Sequence, residues 1–342
     1  MENDLKNKSL SELENLLENL GEKKYIAKII FQWIHKHNIS DFKKINNLSK
    51  SLKQKLKDKK FYISQLKIKE IFDDENSASK YLFQLQDGNF IEAVLLKDKK
   101  ERFTLCISSQ AGCRMNCAFC ATGKMIFKRN LTAAEIVDQV IQIENHSGRK
   151  INNVVFMGMG EPFDNYDNVL KSIYILNSAI GKNIGARKIT ISTCGLVPGI
   201  KKLAEEKLQI KLAVSLHSFS DKNREKIMPI AKKYKLKEIK RSLLEYQSKT
   251  KRRISIEYLL MKGVNDNDVE FNSLINFVKD LDVYINLIDY NEFSESSFKP
   301  IGFENLKSIK RKLIDAGYRV ACRYKRGTKI KAACGQLGLI KN

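Results

Sequence analysis

The chain has 342 residues, 43% of them hydrophobic, with 62 Lys and Arg against 39 Asp and Glu, a net charge of +23. No apolar run approaches the ~20 residues needed to cross a bilayer, and the charged opening MENDLKNKSL argues against a secretory leader. Seven cysteines, an odd number, suit a reducing cytoplasm better than a disulfide framework.

Residues 1 to about 60 read as helices. Ser9 and Ser11 offer caps ahead of LENLLENL, and the segment 23–37 places Tyr25, Ile29, Ile30, Trp33 and Ile34 at helical spacing, as a packed amphipathic helix would. Lys53, Lys55, Lys57, Lys59 and Lys60 then make a basic run that reads as a solvated face. From Phe61 the period shortens. Segments 61–71, 80–86 and 89–96 read as strands, the last two joined at Asp87-Gly88, a hairpin signal. Residues 1–95 therefore read as an accessory domain of helices followed by short strands, a candidate for RNA contact, and 96–342 as the core.

In the core, strand and helix patterns alternate. Strands are expected at 103–109, 153–157, 188–193, 210–216, 254–260 and 283–289, with helices at 133–145, 166–180, 236–248 and 268–280 between them. Such βα units predict an α/β fold with a parallel sheet, either a partial barrel or a doubly wound sheet, and a site where strand C-termini meet loops.

One stretch carries the chemistry. In SSQAGCRMNCAFCATG, Cys113, Cys117 and Cys120 are spaced C-x-x-x-C-x-x-C. Three thiolates on one loop can hold three irons of a [4Fe–4S] cluster and leave the fourth open to a substrate or cofactor. A structural zinc site needs four closed ligands, and the next histidine, His146, lies beyond an expected helix. Further along, Gly158-Met159-Gly160-Glu161-Pro162 follows the second core strand. Its glycines permit close backbone approach, and Glu161 offers a carboxylate to an ammonium group. Ser192-Thr193-Cys194-Gly195, Ser215-Leu216-His217 and Asp289-Tyr290-Asn291 close three other strands with hydroxyl, imidazole and amide groups at one end of the sheet. Alone, each of these reads as a turn or a satisfied structural side chain; in register they suggest a binding site.

Cys194 and Cys322 sit among apolar or strand residues and read as ordinary buried thiols. Cys106 precedes the cluster loop, and Cys334 lies among small residues in AACGQLG, so the two are candidates for covalent exchange. The charge balance suggests a polyanionic partner such as RNA, although an AT-rich genome also enriches Lys, Asn and Ile. Position says more: from Arg319 to Asn342 no acidic residue occurs, while Arg319, Arg323, Lys325, Arg326, Lys329, Lys331 and Lys341 are basic.

The motifs LCISSQAGC, CAFCATG, FKRNLTAAEIVDQV, GMGEP, ISTCGLVPGI, SLH and AACGQL occur here in that order. In this the chain resembles the RlmN/Cfr family of radical S-adenosylmethionine (SAM) RNA methyltransferases, on its RlmN side, across essentially the whole length. The resemblance implies a partial (βα)6 radical-SAM barrel with a small N-terminal helical accessory domain and a short β extension. It implies a [4Fe–4S] cluster on Cys113, Cys117 and Cys120, and SAM contacts from Gly160, Glu161, Ser192, Ser215, Leu216, His217 and Asn291. It further implies Cys334 as methyl carrier, Cys106 as the thiol that resolves a covalent intermediate, and Glu92 as proton acceptor. The substrates implied are 23S rRNA and tRNA, methylated at C2 of an adenosine. One SAM methylates Cys334, and a second yields a deoxyadenosyl radical that activates the methyl group for addition to C2. A cytoplasmic monomer reduced by flavodoxin or ferredoxin is expected. Lys329 stands where the family usually has an acidic residue, and Tyr290-Asn291-Glu292 where it commonly has Trp-Asn-Pro. Two rivals remain: the Cfr-type relative, which methylates C8 and keeps both reactive cysteines, and a non-catalytic iron–sulfur RNA sensor. Pro162 favours the RlmN side over the first.

Overall fold

The structure is a computed structural model that describes residues 3–74, 77–98, 100–323 and 326–338. The basic residues Lys325 and Lys341 lie outside the described residues. The N-terminal part packs three helices, α1 (Leu10–Asn19), α2 (Tyr25–His35) and α3 (Lys50–Asp58). Ser9, not Ser11, starts α1, in a reciprocal capping box with Glu12. Trp33 is half-buried against His37 and packs on the core, as its helical spacing implies.

Three antiparallel strands follow: β1 (Lys67–Asp74), β2 (Ala78–Gln84) and β3 (Phe90–Lys97), the last two joined through Gly88 at φ 84°. The strand expected from Phe61 begins only at Lys67. Residues before it spend their amides on side chains, Ser64 N–H donating to Asp4 and Leu66 N–H to Asp138. β3 then pairs with β4 (Phe103–Cys106), so accessory strands and core share one sheet, and β3 runs across the expected division at residue 95.

A two-residue ribbon, β5 (Gln110–Ala111) with β6 (Arg129–Asn130), brackets the cysteine loop and the short helix α4 (Ala121–Lys124). Thereafter come α5 (Ala133–Ser147), β7 (Asn153–Phe156), α6 (Tyr166–Asn177), β8 (Ile189–Thr193), α7 (Val197–Ala204) and β9 (Lys211–Ser215). They are followed by α8 (Asp221–Ile227), α9 (Leu236–Thr250), β10 (Ile254–Leu260), α10 (Asp268–Val278) and β11 (Val283–Asp289). The elements α11 (Phe303–Asp315) and β12 (Arg319–Arg323) end the series. Among the described residues, ten strands form one sheet in the order β1-β2-β3-β4-β7-β8-β9-β10-β11-β12. In that sheet every pairing after β3–β4 is parallel. The expected six-strand core is present, and β12 extends it by a seventh strand that the sequence reading did not contain. No described helix is long and apolar enough to cross a membrane.

Helix α5 is buried almost all round, between the sheet and the N-terminal helices, including Asp138, Gln139 and Gln142. Asp138 is the joint between the two parts: Lys6 Nζ lies 2.5 Å from its Oδ1, and both side chains are about 1% exposed. Removing one partner of a buried pair costs about 3–5 kcal/mol. Lys6→Met is therefore expected to lower stability by about that amount, read as a fall in the urea midpoint; an unchanged midpoint would show that the joint carries no load.

His35, at the end of α2, is fully buried and neither ring nitrogen has a hydrogen-bond partner. Burial, with the Lys6 and Lys182 charges adding to it, pushes its pKa down to about 3. The folded state thus binds no proton there while the unfolded state does, so stability falls as pH drops from about 6.5 toward 3. His35→Leu should lessen that acid loss by roughly 2 kcal/mol at about pH 5, measured as the difference between denaturation midpoints at neutral and acid pH.

Candidate active site

The loop carrying the three cysteines is held from several sides. Ala118 N–H donates to Ile227 O at 2.9 Å, and Ala121 N–H to Gly335 O at 2.7 Å. Gly123 is packed so tightly that a Cβ there would lie 2.7 Å from Cys117 O. Cys113, Cys117 and Cys120 together line a cavity of about 170 Å³ at the C-terminal ends of the parallel strands. Burial is the largest cause raising all three thiols, Cys113 to about 12, so a metal must displace their protons. Among the described residues no three His, Cys, Asp or Glu side chains close on a point that one ion could share. Three thiols on one loop can hold three corners of a cluster, whereas a structural zinc site closes with four ligands.

The glycine-rich loop after β7 presses on the segment after β4. A Cβ on Gly158 would lie 2.7 Å from Ile107 O, and one on Gly160, at φ 100°, 2.5 Å from Gln110 Cβ. Only glycine allows this approach. It brings Glu161 to the cavity wall, 4% exposed, its Oε1 accepting from Phe163 N–H and its Oε2 from Cys194 N–H at 2.8 Å. Burial raises this carboxyl, and those amides oppose the rise.

Gly160, Ser192, Ser215 and His217 also line the cavity, with the two serine hydroxyls 3.5 Å apart. His217 takes left-handed backbone, φ 57°. Its Nδ1 accepts from Leu259 N–H at 3.1 Å, which leaves the proton on Nε2. Burial first, then Arg224, pushes its pKa down to about 3, so the imidazole is a neutral donor.

Four expected site residues stand outside this lining. Leu216 points into the core and is fully buried. Asn291 is 4% exposed; its Nδ2 donates to Cys334 O at 3.1 Å, and its Oδ1 is buried without a partner. Glu92 lies on β3 between Lys80, 3.1 Å from Oε1, and Gly338 N–H, 2.7 Å from Oε2. It faces a separate cavity of about 300 Å³ that Met159, Lys128 and Gly338 share. Cys106 ends β4, between Val94 and Val155 on the neighbouring strands.

Cys334 is exposed at the rim of the first cavity. The segment that bears it is tied to three regions: to Glu92 by Gly338, to the cysteine loop by Gly335 and Leu337, and to Glu292 by Gln336. Of the two thiols read as ordinary, Cys194 is buried and its backbone N–H holds Glu161, whereas Cys322 is only half-buried on β12.

Three charged residues of the site were not legible. Arg224 is fully buried and donates to Cys194 O at 2.7 Å and Tyr234 O at 3.2 Å. Glu257, in the middle of β10, is 2% exposed; Asn286 and Arg323 donate to its Oε1, and its Oε2 has no partner. Arg323 ends β12 and also lines the cavity. A carboxylate inside the apolar run ISIEYLL was the one available signal.

Comparisons place these features among known proteins. Residues 107–274 match the model of the radical SAM superfamily. Residues 3–61 match that of the ribosomal RNA large subunit methyltransferase N-terminal domain. A probable dual-specificity RNA methyltransferase RlmN from Thermoanaerobacter sp. (strain X514) is 46% identical over 97% of this chain and 97% of its own length. One of the same description from Clostridium novyi (strain NT) is 43% identical over 97% of this chain and 96% of its own. The crystal structure of a radical SAM methyltransferase from Sphaerobacter thermophilus superposes with a TM-score of 0.91 at 38% identity, covering 98% of this chain and 99% of that one.

Proposed function

Since the chain belongs to the RlmN family of dual-specificity RNA methyltransferases, within the radical SAM superfamily, we propose that it methylates C2 of an adenosine in 23S rRNA and in tRNA next to the anticodon. The family's cofactors are a [4Fe–4S] cluster and SAM. The donor set fits both: three thiols on one loop, a cradle beside Gly158 and Gly160 that any Cβ would fill, and the partnerless Glu257 Oε2 and Asn291 Oδ1. Cys113, Cys117 and Cys120 would hold the cluster. Gly160, Glu161, Ser192, Ser215, Leu216, His217 and Asn291 would hold SAM, Leu216 through its backbone because its side chain is in the core. Bound there, cluster and SAM supply a methyl group and, with one electron, a radical able to remove a hydrogen atom.

The observation that carries the reading is Cys334: an exposed thiol on the rim of the cavity that the three loop cysteines line. C2 of adenine is too electron-poor to attack a sulfonium methyl itself. A thiol can accept the methyl group and present it as a carbon that forms the bond to C2. Asn291 holds the Cys334 carbonyl and so aims the side chain. Glu92 lies outside that cavity but is tied by Gly338 to the segment that bears Cys334; it would take the C2 proton, with Lys80 3.1 Å from its Oε1. Cys106 then bonds to Cys334 Sγ and frees the RNA.

The base must leave its stack to reach this depth, as adenines in loops do. Exposed Lys329 and Lys331, on the segment that leads to Cys334, would meet its phosphates, and residues 1–95 would contact the RNA further out. The same reading makes the enzyme a cytoplasmic monomer with flavodoxin or ferredoxin as electron donor. Mass spectrometry of RNA incubated with the reduced enzyme and SAM should show 2-methyladenosine. Methylation at C8, the Cfr-type outcome, or none with the cluster verified, would overturn the proposal.

A further inference from the structure

Resting on the reading of Cys334 as methyl carrier, we propose that the buried Lys80–Glu92 pair is a clasp that holds the segment 331–338 at both ends, and that Lys80 is thereby a positioning residue for Cys334. Lys80 is on β2 and Glu92 on β3, one diagonal step apart, since Lys80 pairs with Val94 and Leu82 with Glu92. Their charges meet at 3.1 Å, as an ion pair rather than an aligned hydrogen bond, and both side chains are 2% exposed. Each also reaches the tail. Lys80 Nζ donates to Lys331 O at 3.4 Å, and Glu92 Oε2 accepts from Gly338 N–H at 2.7 Å. Another side of the ammonium faces the Phe72 ring, 4.9 Å from its centre. Cys334 lies midway between the two fastened residues.

A buried ion pair often stabilises a fold no better than apolar side chains of the same volume. What it adds here is a donor and an acceptor turned toward the backbone of another segment. Lys331 shows the load: its φ is 52°, left-handed backbone that a residue other than glycine keeps only where its surroundings hold it. Gly338, at φ 95°, ends the segment so close to the cysteine loop that a Cβ there would collide with Met125 Sδ. Strand register sets what the segment covers. Val94 pairs with both Lys80 and Cys106, and directly paired residues share one face of a sheet, as do Glu92 and Val94, two apart on one strand. The clasp therefore fastens the segment over the face from which Cys106 projects. Between its ends the segment is tied to the cysteine loop through Gly335 and Leu337, and to Asn291 and Glu292 through Cys334 and Gln336. Those contacts fix one flank; Lys80 and Glu92 fix the other, against the β2–β3 hairpin. With the Lys331 end free, the Cys334 sulfur would range more widely at the cavity rim, and productive approaches to a methyl donor would be fewer.

The test needs no RNA. The reduced holoenzyme given SAM should load a methyl group on Cys334. Its sulfur bonds to the methyl carbon, the bond from that carbon to the sulfonium breaks, S-adenosylhomocysteine leaves with the electron pair, and the thiol proton passes to solvent. Peptide mass spectrometry times the loading; hydrogen exchange over 327–338, which needs no loading, reads the clasp directly. Lys80→Met should raise exchange over 327–338 about tenfold while β3 keeps its protection, and should slow loading about tenfold with the KM for SAM unchanged. Lys80→Arg should restore both. Wild-type exchange and loading in Lys80→Met, or exchange raised equally across β3, would overturn the inference, the latter marking a merely structural role. Should Lys80→Met fail to fold, the double variant Lys80→Met with Glu92→Gln removes both charges and keeps an acceptor for Gly338. Exchange should then rise over 327–332 while Gly338 stays protected, and protection throughout would overturn the inference. If the wild type loads no methyl group on Cys334, the carrier reading fails, while the exchange result still decides the clasp.

Discussion

Cys106→Ala is expected to leave RNA covalently attached to Cys334 and to abolish multiple turnover, a loss of at least about a thousandfold. Cys334 is exposed and its carbonyl is held by Asn291, so nothing in the substitution hinders its alkylation or the bond to C2. On the proposed reading Cys106 is the thiol that releases the adduct, and alanine at the end of β4 keeps the Val94 and Val155 pairings. The adduct should appear as a slow band on a denaturing gel that ribonuclease shortens, with the residual nucleotide mapped to Cys334. Normal turnover by the variant would refute the resolving role.

Cys117→Ser should lose iron, the visible absorption of thiolate-bound iron, and methylation together, while the far-ultraviolet circular dichroism stays that of the wild type. A serine hydroxyl holds its proton far more tightly than a thiol, and iron in such clusters selects soft thiolate. The loop keeps its shape without the sulfur, because Ala118, Ala121 and the Gly123 contact fasten it through backbone. Retention of both the iron and the activity would show that Cys117 is not a ligand.

What could be read from sequence was what depends on spacing. Three cysteines on one loop, a glycine pair before Glu161, and polar residues at strand ends each announce themselves within a few positions. The structure gathers most of them around one cavity. What could not be read depends on register between distant strands. Glu257 and Arg323 meet only because β10, β11 and β12 stack in parallel, Ile254 opposite Val283 and Tyr284 opposite Arg319. α11 has few buried residues, Leu306 and Leu313, and its charged pattern hid both the helix and the short strand after it. Glu92 was legible as a residue but not as a neighbour. Its partner Lys80 faces it only through the β2–β3 hairpin, where each strand buries both of its sides.

Among the described residues the sheet does not close, and an open sheet of ten strands has two rims that could template pairing with another chain. One rim, β1, exposes Lys67, Lys69, Glu70 and Asp73, and its register shifts between Ile68 and Glu70. The other, β12, is five residues long and bounded by Arg319 and Arg323. Charge, irregularity and brevity all disfavour edge-to-edge addition. Arg323, which lines the cavity, therefore also guards a rim, and neutralising the charges on β1 would turn the opposite rim into a seed for aggregation.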